Sequence, residues 1–200
     1  MAEGCPADCT VVDYRGMSTV GRLLVATPPM DDPNFERSVV LILRHDPEGA
    51  FGLVISRPST EVSIVDDGAL SVWIQQATTP AVLFEGGPVE QNAIIALTPW
   101  DGSEERSWVS HVGAGLATVD LESDGVNALD CRELRLFVGY SGWGPLQLDG
   151  EIAAGHWFVV AAEPVDPFDH NPTTLWRRVL ERDPAHREWV RTFPDDPGLN

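Results

Sequence analysis

The chain has 200 residues, enough for one domain with a substantial core, and its 31 acidic against 13 basic residues give a formal net charge of −18. A field of this sign repels phosphate backbones, so general DNA or RNA binding is disfavoured. No lysine is present, which excludes a P-loop lysine, a Schiff-base lysine and a Ser-Lys dyad.

Hydropathy and cysteine content indicate the compartment. No apolar run reaches the roughly 18 residues of a membrane span, and the acidic N-terminus lacks the apolar region of a secretory signal. Three cysteines, Cys5, Cys9 and Cys131, do not make a disulfide framework. The Cys5 and Cys9 pair lacks a second pair with zinc-site spacing. We therefore expect a cytoplasmic protein without metal or cofactor.

The first half of the chain predicts strands and one helix. The run 39–43 is apolar and β-branched, as in a strand covered on both faces. The segment 46–49, Asp-Pro-Glu-Gly, suits a type I turn that joins this strand to 51–55 in a hairpin. Gly52 indicates a bulge or a close backbone neighbour. Further elements are strands over 21–26, 81–84 and 93–97 and an amphipathic helix over 69–77.

The second half alternates strands with polar segments and ends in a helix. Strands are predicted over 107–112, 116–121 and 157–162. The polar stretch 120–130 suits a short helix. Asn171-Pro172 is typical of a helix start, and this helix is predicted to end near Arg182. Its predicted inward side chains are Leu175, Trp176, Val179 and Leu180.

Residues 134–152 predict a strand, a glycine-rich turn over 139–144 and a short helix. Ser141 lies where a nucleophile elbow, G-x-S-x-G, would place its serine. However, Trp143 occupies the fifth position, and the glycine comes one residue later. The pattern favours a tight turn whose Tyr140 and Trp143 pack on the sheet, with Trp143 partly exposed as an anchor for a partner.

Five stretches together resemble one family of bacterial proteins, called AlgH-like or YqgE-like. They are GRLLVATPPMDDPNFERSVVLIL (21–43), HDPEGAFGLVISRP (45–58), FEGGPV (84–89), LFVGYSGWGPLQLDGEI (136–152) and PTTLWRRVL (172–180). The resemblance implies an α+β fold, with a β-rich core of a bent or split mixed sheet wrapped by several helices. The family lacks a characterised reaction. Its namesake was linked to regulation of alginate synthesis, which is a phenotype and not an activity.

The chain departs from the family pattern at several positions. The family usually has glycine at 146 and asparagine at 155, where this chain has Leu146 and Gly155. It usually has asparagine at the positions of Asp46 and Ser56. Alanine is common at the position of Ser141, which weakens the interpretation of this serine as a nucleophile.

We expect three segments along the chain. Residues 1–18 are predicted to be a flexible N-terminal tail, residues 19–182 a single AlgH-like α+β domain, and residues 183–200 a C-terminal extension. No internal repeat or linker divides the central segment, which is why we predict one domain.

A ligand or partner surface, if there is one, is expected where the motif loops 45–58, 85–89 and 139–147 meet. The candidate residues are His45, Arg57, Glu85, Gly86, Gly87, Pro88, Tyr140, Ser141, Gly142 and Trp143. The Gly-Gly-Pro segment 86–88 could also present backbone N–H groups to an anion.

Two of these candidates have structural alternatives. His45 and Asp46 could orient a base, but Asp46 at a hairpin corner is better placed to cap the turn. Arg57 suits a bound carboxylate or phosphate. It equally suits an ion pair with an acid such as Asp32 or Glu85 that holds two loops together.

The leading hypothesis is a non-enzymatic protein with a binding or regulatory role through an unknown protein or small-molecule partner, because the motifs lack a complete catalytic set. The alternative is a hydrolase-like enzyme that uses Ser141 with His45 or His111. The sequence leaves the ligand and the oligomeric state open.

Overall fold

The computed structural model describes residues 19–59, 68–100, 107–113, 115–122 and 133–193. Its strands are β1 (Arg22–Ala26), β2 (Val39–Asp46), β3 (Gly49–Val54), β4 (Leu83–Glu85), β5 (Val89–Pro99), β6 (Val109–Gly113), β7 (Leu116–Val119), β8 (Arg135–Trp143) and β9 (Trp157–Ala161). Its α-helices are α1 (Gly68–Gln75), α2 (Gln147–Ala153), α3 (Leu175–Arg182) and α4 (Arg187–Val190). The predicted β-rich core is confirmed. The helices of the described part are few and short, so the sheet makes up most of the fold.

The strands form one open sheet in the order β6-β7-β5-β8-β3-β2-β1-β9, with β4 attached to β8. The pairs are antiparallel, apart from the parallel pair of β4 with β8. The first half of β8 pairs with β4 and β5, and its second half pairs with β3. The predicted hairpin of β2 and β3 is confirmed, and a register shift lies between Ile42 and Arg44, close to Gly52.

The sheet divides where β4 enters between β3 and β8. Gly52 of β3 pairs directly with Ser141 of β8. Two residues further along β3, the Val54 N–H donates to the Gly86 carbonyl (2.9 Å), and the Gly86 N–H donates to the Val138 carbonyl (2.8 Å). Gly86, the residue after β4, therefore lies between β3 and β8 at this point and bonds to both strands, which no longer bond to each other. We call this unit the fork; it comprises residues 53–54, 86–87 and 138–139.

The fork leaves no room for side chains at its glycines. A Cβ on Gly86 would lie 2.3 Å from the Gly139 carbonyl oxygen, and a Cβ on Gly87 would lie 2.3 Å from the Tyr140 carbonyl carbon. Gly139 has a φ of 66°, in the left-handed region, and a Cβ there would lie 2.6 Å from the Gly87 oxygen. The motifs FEGGPV and VGYSGWG are therefore two halves of one packing unit.

The predicted turn over 139–144 is wrong, because β8 continues through it to Trp143. The positive φ at Gly139 interrupts the alternation of the strand. Phe137 and Tyr140 consequently pack on the same core cluster, although residues three apart face opposite sides of a regular strand. Trp143 belongs to the cluster on the other face. The chain turns only after Trp143, before α2.

The core covers both faces of the sheet. Alternate residues of β1 and β2 enter two clusters, one against α3 and α4 and one beside α2, and a third cluster lies against α1. The predicted inward positions are confirmed for Leu175, Trp176, Val179 and Leu180, all of which are buried. Trp143 is only 6% exposed, so its predicted partial exposure is wrong.

Some predictions concern residues outside the described part of the chain. These are the tail 1–18 with Cys5 and Cys9, the residue Cys131, and most of the helix expected over 120–130. The division of the chain at residue 182 stays a prediction, and Val190 of α4 is buried in the same core cluster as α3. Among the helices formed by the described residues, none has both the length and the apolar character to cross a membrane.

We expect Gly139→Ala to destabilise the protein by about 3 kcal/mol or more, since it combines a left-handed backbone with a contact to the Gly87 oxygen. The matched control is Gly150→Ala in α2, where a Cβ would meet nothing within 4 Å. That control should stabilise by roughly 0.5–1 kcal/mol. Urea unfolding of both variants checks the comparison, and equal stabilities would contradict the account of the fork.

Candidate functional site

A groove with a volume of about 660 Å³ lies on the sheet near one end of four neighbouring strands, β5, β8, β3 and β2. We call it the Tyr140 groove. Its lining residues are Arg44, Ala50, Phe51, Val89, Tyr140, Gly142 and Trp143. Phe51 and Tyr140 pack on the largest core cluster from its edge, so the groove is the solvent-exposed continuation of that core.

Register pairing between the strands positions the groove. Val89 of β5 pairs with Tyr140, Gly142 pairs with Phe51 of β3, and Phe51 pairs with Arg44 of β2. The rings of Phe51 and Tyr140 have centroids 4.8 Å apart and an interplanar angle of 45°. The groove therefore has an aromatic floor from β3 and β8, which Val89 of β5 and Arg44 of β2 flank.

Gly142 keeps this floor accessible. It is exposed, and a Cβ at this position would meet the Tyr140 ring at 3.4 Å and the Val89 side chain at 3.8 Å, which are tolerable contacts. A side chain here would fit the backbone but would project over the rings. The missing side chain thus leaves the space above Tyr140 open.

Two charged side chains lie at the rim. Arg44 is 62% exposed, and its Nε lies 3.3 Å from the Asp46 carboxylate. Glu90 is exposed and has a φ of 48°, which is uncommon for a residue with a side chain. Its carboxylate lies 3.5 Å from the Tyr140 hydroxyl. The sequence interpretation missed Glu90, because a strained backbone leaves no pattern in the sequence.

Ser141 does not have the environment of a nucleophile. It is fully buried, and its hydroxyl donates to the Gly86 carbonyl at 3.1 Å. His45 Nδ1 instead lies 2.6 Å from the Thr19 hydroxyl, on a strand two positions away from β8. His111 is exposed on β6, three positions away on the other side. The described contacts therefore pair Ser141 with the fork and not with a base.

The Arg57 guanidinium binds backbone carbonyls of a neighbouring loop. Its guanidinium donates to the carbonyls of Pro33 (3.0 Å), Asn34 (2.7 Å) and Glu36 (2.8 Å). These carbonyls take the place of the predicted ion pair with Asp32 or Glu85, whereas the predicted binding of a carboxylate or phosphate at Arg57 stays a prediction. Arg57 instead holds the loop that precedes β2 against the end of the hairpin.

The segment 85–88 is part of the scaffold. The Glu85 N–H donates to the Arg57 carbonyl at 3.0 Å, and the Gly86 N–H is used by Val138. The predicted presentation of the Gly86 N–H to an anion is thus wrong. At the hairpin corner, Asp46 accepts the Glu48 N–H at 2.8 Å, which confirms its predicted capping role.

The Trp143 indole is tied to α2 by a hydrogen bond. The indole N–H groups of Trp143 and Trp157 both donate to Glu151 Oε2 at 2.8 Å. Gln147 donates to Glu151 Oε1 at 2.9 Å and accepts the Gly144 N–H at 3.0 Å. One carboxylate therefore joins the end of β8, the start of α2 and the start of β9. These bonds fix the Trp143 indole, which lines the groove.

Arg135 is a buried cation of β8 that the sequence interpretation did not single out. It is 1% exposed and donates to the carbonyls of Asp169 (3.0 Å) and Thr79 (3.1 Å), with its guanidinium 4.2 Å from the Phe84 ring centroid. Burial lowers the pKa of Arg135 to about 10, although the nearby negative charges of Asp169 and Glu133 act to raise it. Arg135 remains protonated at neutral pH, and its two hydrogen bonds connect β8 to the backbone at Thr79 and Asp169. A lone arginine in an apolar strand was the available signal.

No group of three metal-ligating side chains occurs among the residues that the structure describes. Several of the described acids form ion pairs with arginines. Arg182 binds Asp166 at 2.5 Å, and this hydrogen bond raises the pKa of Arg182 further above its usual value. Arg178 binds Asp169 at 2.7 Å. These pairs fasten α3 to the loop that follows β9.

A family model described as AlgH-like (DUF179) matches residues 23–186. The chain belongs to the AlgH-like family. It is 45% identical over 188 residues to the UPF0301 protein SCO2948 of Streptomyces coelicolor, which covers 92% of this chain and 96% of the relative. It is 42% identical over 194 residues to a UPF0301 protein of Thermobifida fusca, with coverage of 92% and 96%.

Two solved structures have a similar fold. The crystal structure of DIP2367 from Corynebacterium diphtheriae has a TM-score of 0.76 and 28% identity, and covers 96% of this chain and 95% of that one. The solution structure of AlgH from Pseudomonas aeruginosa has a TM-score of 0.65 and 24% identity, with coverage of 98% and 100%. The second likeness concerns the fold alone.

The backbone explains two positions at which the AlgH-like pattern and this chain differ. Leu146 has a φ of 60° and is 77% exposed, so it makes little packing contact to offset the left-handed backbone. Gly155 has a φ of 80°, a conformation that glycine and asparagine both adopt readily. The family glycine at 146 therefore suits the local backbone better than leucine does.

Leu146→Gly should stabilise the protein by roughly 0.5–1 kcal/mol, because it removes the left-handed strain without removing a buried contact. Thermal unfolding checks this expectation. Leu146→Ala is the matched control, since it shortens the exposed side chain but retains the Cβ and the strain. A gain of equal size in the control would contradict the strain explanation.

Ser141→Ala should cost about 1 kcal/mol, the usual net value of one hydrogen bond, because the Gly86 carbonyl keeps its bond from Val54. The intact protein should not react with a fluorophosphonate probe for activated serines. Unfolding curves and mass spectrometry of the probe-treated protein test both points. Labelling that disappears in Ser141→Ala would restore the hydrolase alternative.

Proposed function

We propose that this AlgH-like chain is a cytoplasmic, non-enzymatic binding protein that takes a protein or small-molecule partner at the Tyr140 groove, and that it acts in a regulatory role. The observation that carries the proposal is the contrast between its two candidate sites. The potential nucleophile is sealed inside the fork, whereas the aromatic floor beside it is open.

The groove has features of a preformed binding site. Its floor is held by strand pairing on both sides of β8 and by the packing of Tyr140 on the core. Little ordering would accompany binding, and a rigid apolar surface with a few polar groups at its rim favours recognition. Of the residues predicted from sequence, Tyr140, Gly142 and Trp143 line the groove.

The other predicted residues would act through the scaffold. Gly86 and Gly87 pack closely against the backbone of β8 in the fork, and Arg57 binds the loop that precedes β2. His45 bonds to Thr19 and lies 3.4 Å from the Asp149 carboxylate. They would position the site without touching a partner.

The test is a capture experiment with three forms of the protein, intact, Gly142→Val and Gly144→Val. Valine at 142 would fill the groove, since its Cβ alone already reaches van der Waals contact with Tyr140 and Val89 at 3.4 and 3.8 Å. Valine at 144 is a matched control because a Cβ there meets only the Gln147 side chain at 3.8 Å. Partners and metabolites retained from host lysate are quantified by mass spectrometry. A specific partner should be retained by the intact protein and the control, and reduced about tenfold or more by Gly142→Val.

Two results would overturn this proposal. Equal retention by Gly142→Val would place the binding surface elsewhere. Chemical conversion of a retained metabolite by the intact protein, lost in Ser141→Ala, would show an enzyme.

A further inference from the structure

We propose that the occupant of the Tyr140 groove is a basic, arginine- or lysine-containing segment of a partner protein, with one cationic side chain lying over the Phe51 and Tyr140 rings and paired with Glu90. This inference rests on the proposed function and names its partner class. Three features of the groove carry it: the ring faces, the carboxylate beside them and the length of the surface.

The aromatic floor suits a cation. Phe51 and Tyr140 are both partly exposed, and their rings lie 4.8 Å apart with a tilt of 45°. A guanidinium or ammonium group placed over such rings is attracted by their negative π faces. Gly142 leaves the approach to Tyr140 free of a side chain. The same chain already places Arg135 4.2 Å from the Phe84 ring inside the core.

Glu90 supplies the opposite charge. It lies next to Val89, a lining residue, and its carboxylate is 3.5 Å from the Tyr140 hydroxyl. Within the described residues, no arginine or histidine forms an ion pair with it. Its φ of 48° is strained for a residue with a side chain, and such strain is often found at binding sites.

The remaining charges favour a positive partner. Arg44 is the cation that lines the groove, and its Nε lies 3.3 Å from the Asp46 carboxylate, which places an opposite charge beside it. The whole chain carries −18. A field of that sign speeds encounter with basic partners and opposes acidic ones.

The dimensions favour a chain segment over a free small cation. The lining residues span four adjacent strands, from Val89 on β5 to Arg44 on β2. Three strand spacings correspond to roughly 14 Å, the length of about four extended residues. A segment can fill this length while one of its side chains occupies the cation position.

The experiment uses the intact protein with fluorescein-labelled five-residue probes, Ala-Arg-Ala-Arg-Ala and its citrulline and glutamate counterparts. Citrulline keeps the shape of arginine without its charge. Fluorescence anisotropy at low salt should show the arginine probe binding about tenfold or more tightly than the citrulline probe. Amide shifts in a nitrogen–proton NMR spectrum should be largest at Phe51, Glu90, Tyr140 and Gly142.

Charge-neutralising variants localise the effect. Glu90→Gln should weaken the arginine probe by about tenfold, whereas Glu181→Gln on α3, which removes the same charge at a distant exposed position, should leave the affinity within about twofold. Phe51→Leu keeps an apolar side chain but removes one π face, and should weaken binding by about threefold or more. Tyr140→Phe keeps the ring and should retain most of the affinity.

Several outcomes would overturn the inference. They are equal binding of the arginine and citrulline probes, preferred binding of the glutamate probe, spermine competing at the same concentration as the arginine probe, and self-association of the chain through this groove. If all probes fail while a captured partner remains sensitive to Gly142→Val, the basic segment is wrong and the proposed function stands. If the Gly142→Val sensitivity also fails, both are wrong.

Discussion

The insertion of β4 between β3 and β8 is the constraint on which the rest of the structure depends. Gly86 accepts a hydrogen bond from Val54 and donates one to Val138, so it continues the join between the two halves of the sheet where the direct pairing of β3 with β8 ends. The approach is so close that glycine is required on both sides, at Gly86 and at Gly139. The Ser141 hydroxyl donates a second hydrogen bond to the Gly86 carbonyl. Residues that resemble a catalytic motif therefore have a complete structural explanation.

The same constraint places the groove. Because Gly139 interrupts the alternation of β8, Tyr140 turns toward Phe51 at the edge of the core, while Ser141 and Trp143 turn to the opposite face. The Glu151 carboxylate then binds Trp143 from α2 and holds the end of the strand. An accessible aromatic floor and a buried serine follow from one irregular residue.

Local patterns predicted the strands well, because burial on one or both faces leaves a period in the sequence. The hairpin of β2 and β3 and the inward side of α3 followed from such patterns. The path of β8 did not, since a glycine-rich bulge and a glycine-rich turn have the same composition. The partners of Arg57, Arg135 and Ser141 were also missed. They are backbone carbonyls more than 20 residues away in sequence. Every residue has a backbone carbonyl, so the sequence does not show which one a side chain will bind.

Amide hydrogen exchange at the fork tests the central claim most directly. If Gly86 joins the two halves of the sheet, the N–H groups of Val54 and Gly86 should exchange only on global unfolding, with protection equal to the slowest amides of β1 and β2. The predicted result is one shared exchange free energy for these positions. Rapid exchange of Val54 and Gly86 while β1 and β2 stay protected would contradict the account, because the halves would then open independently.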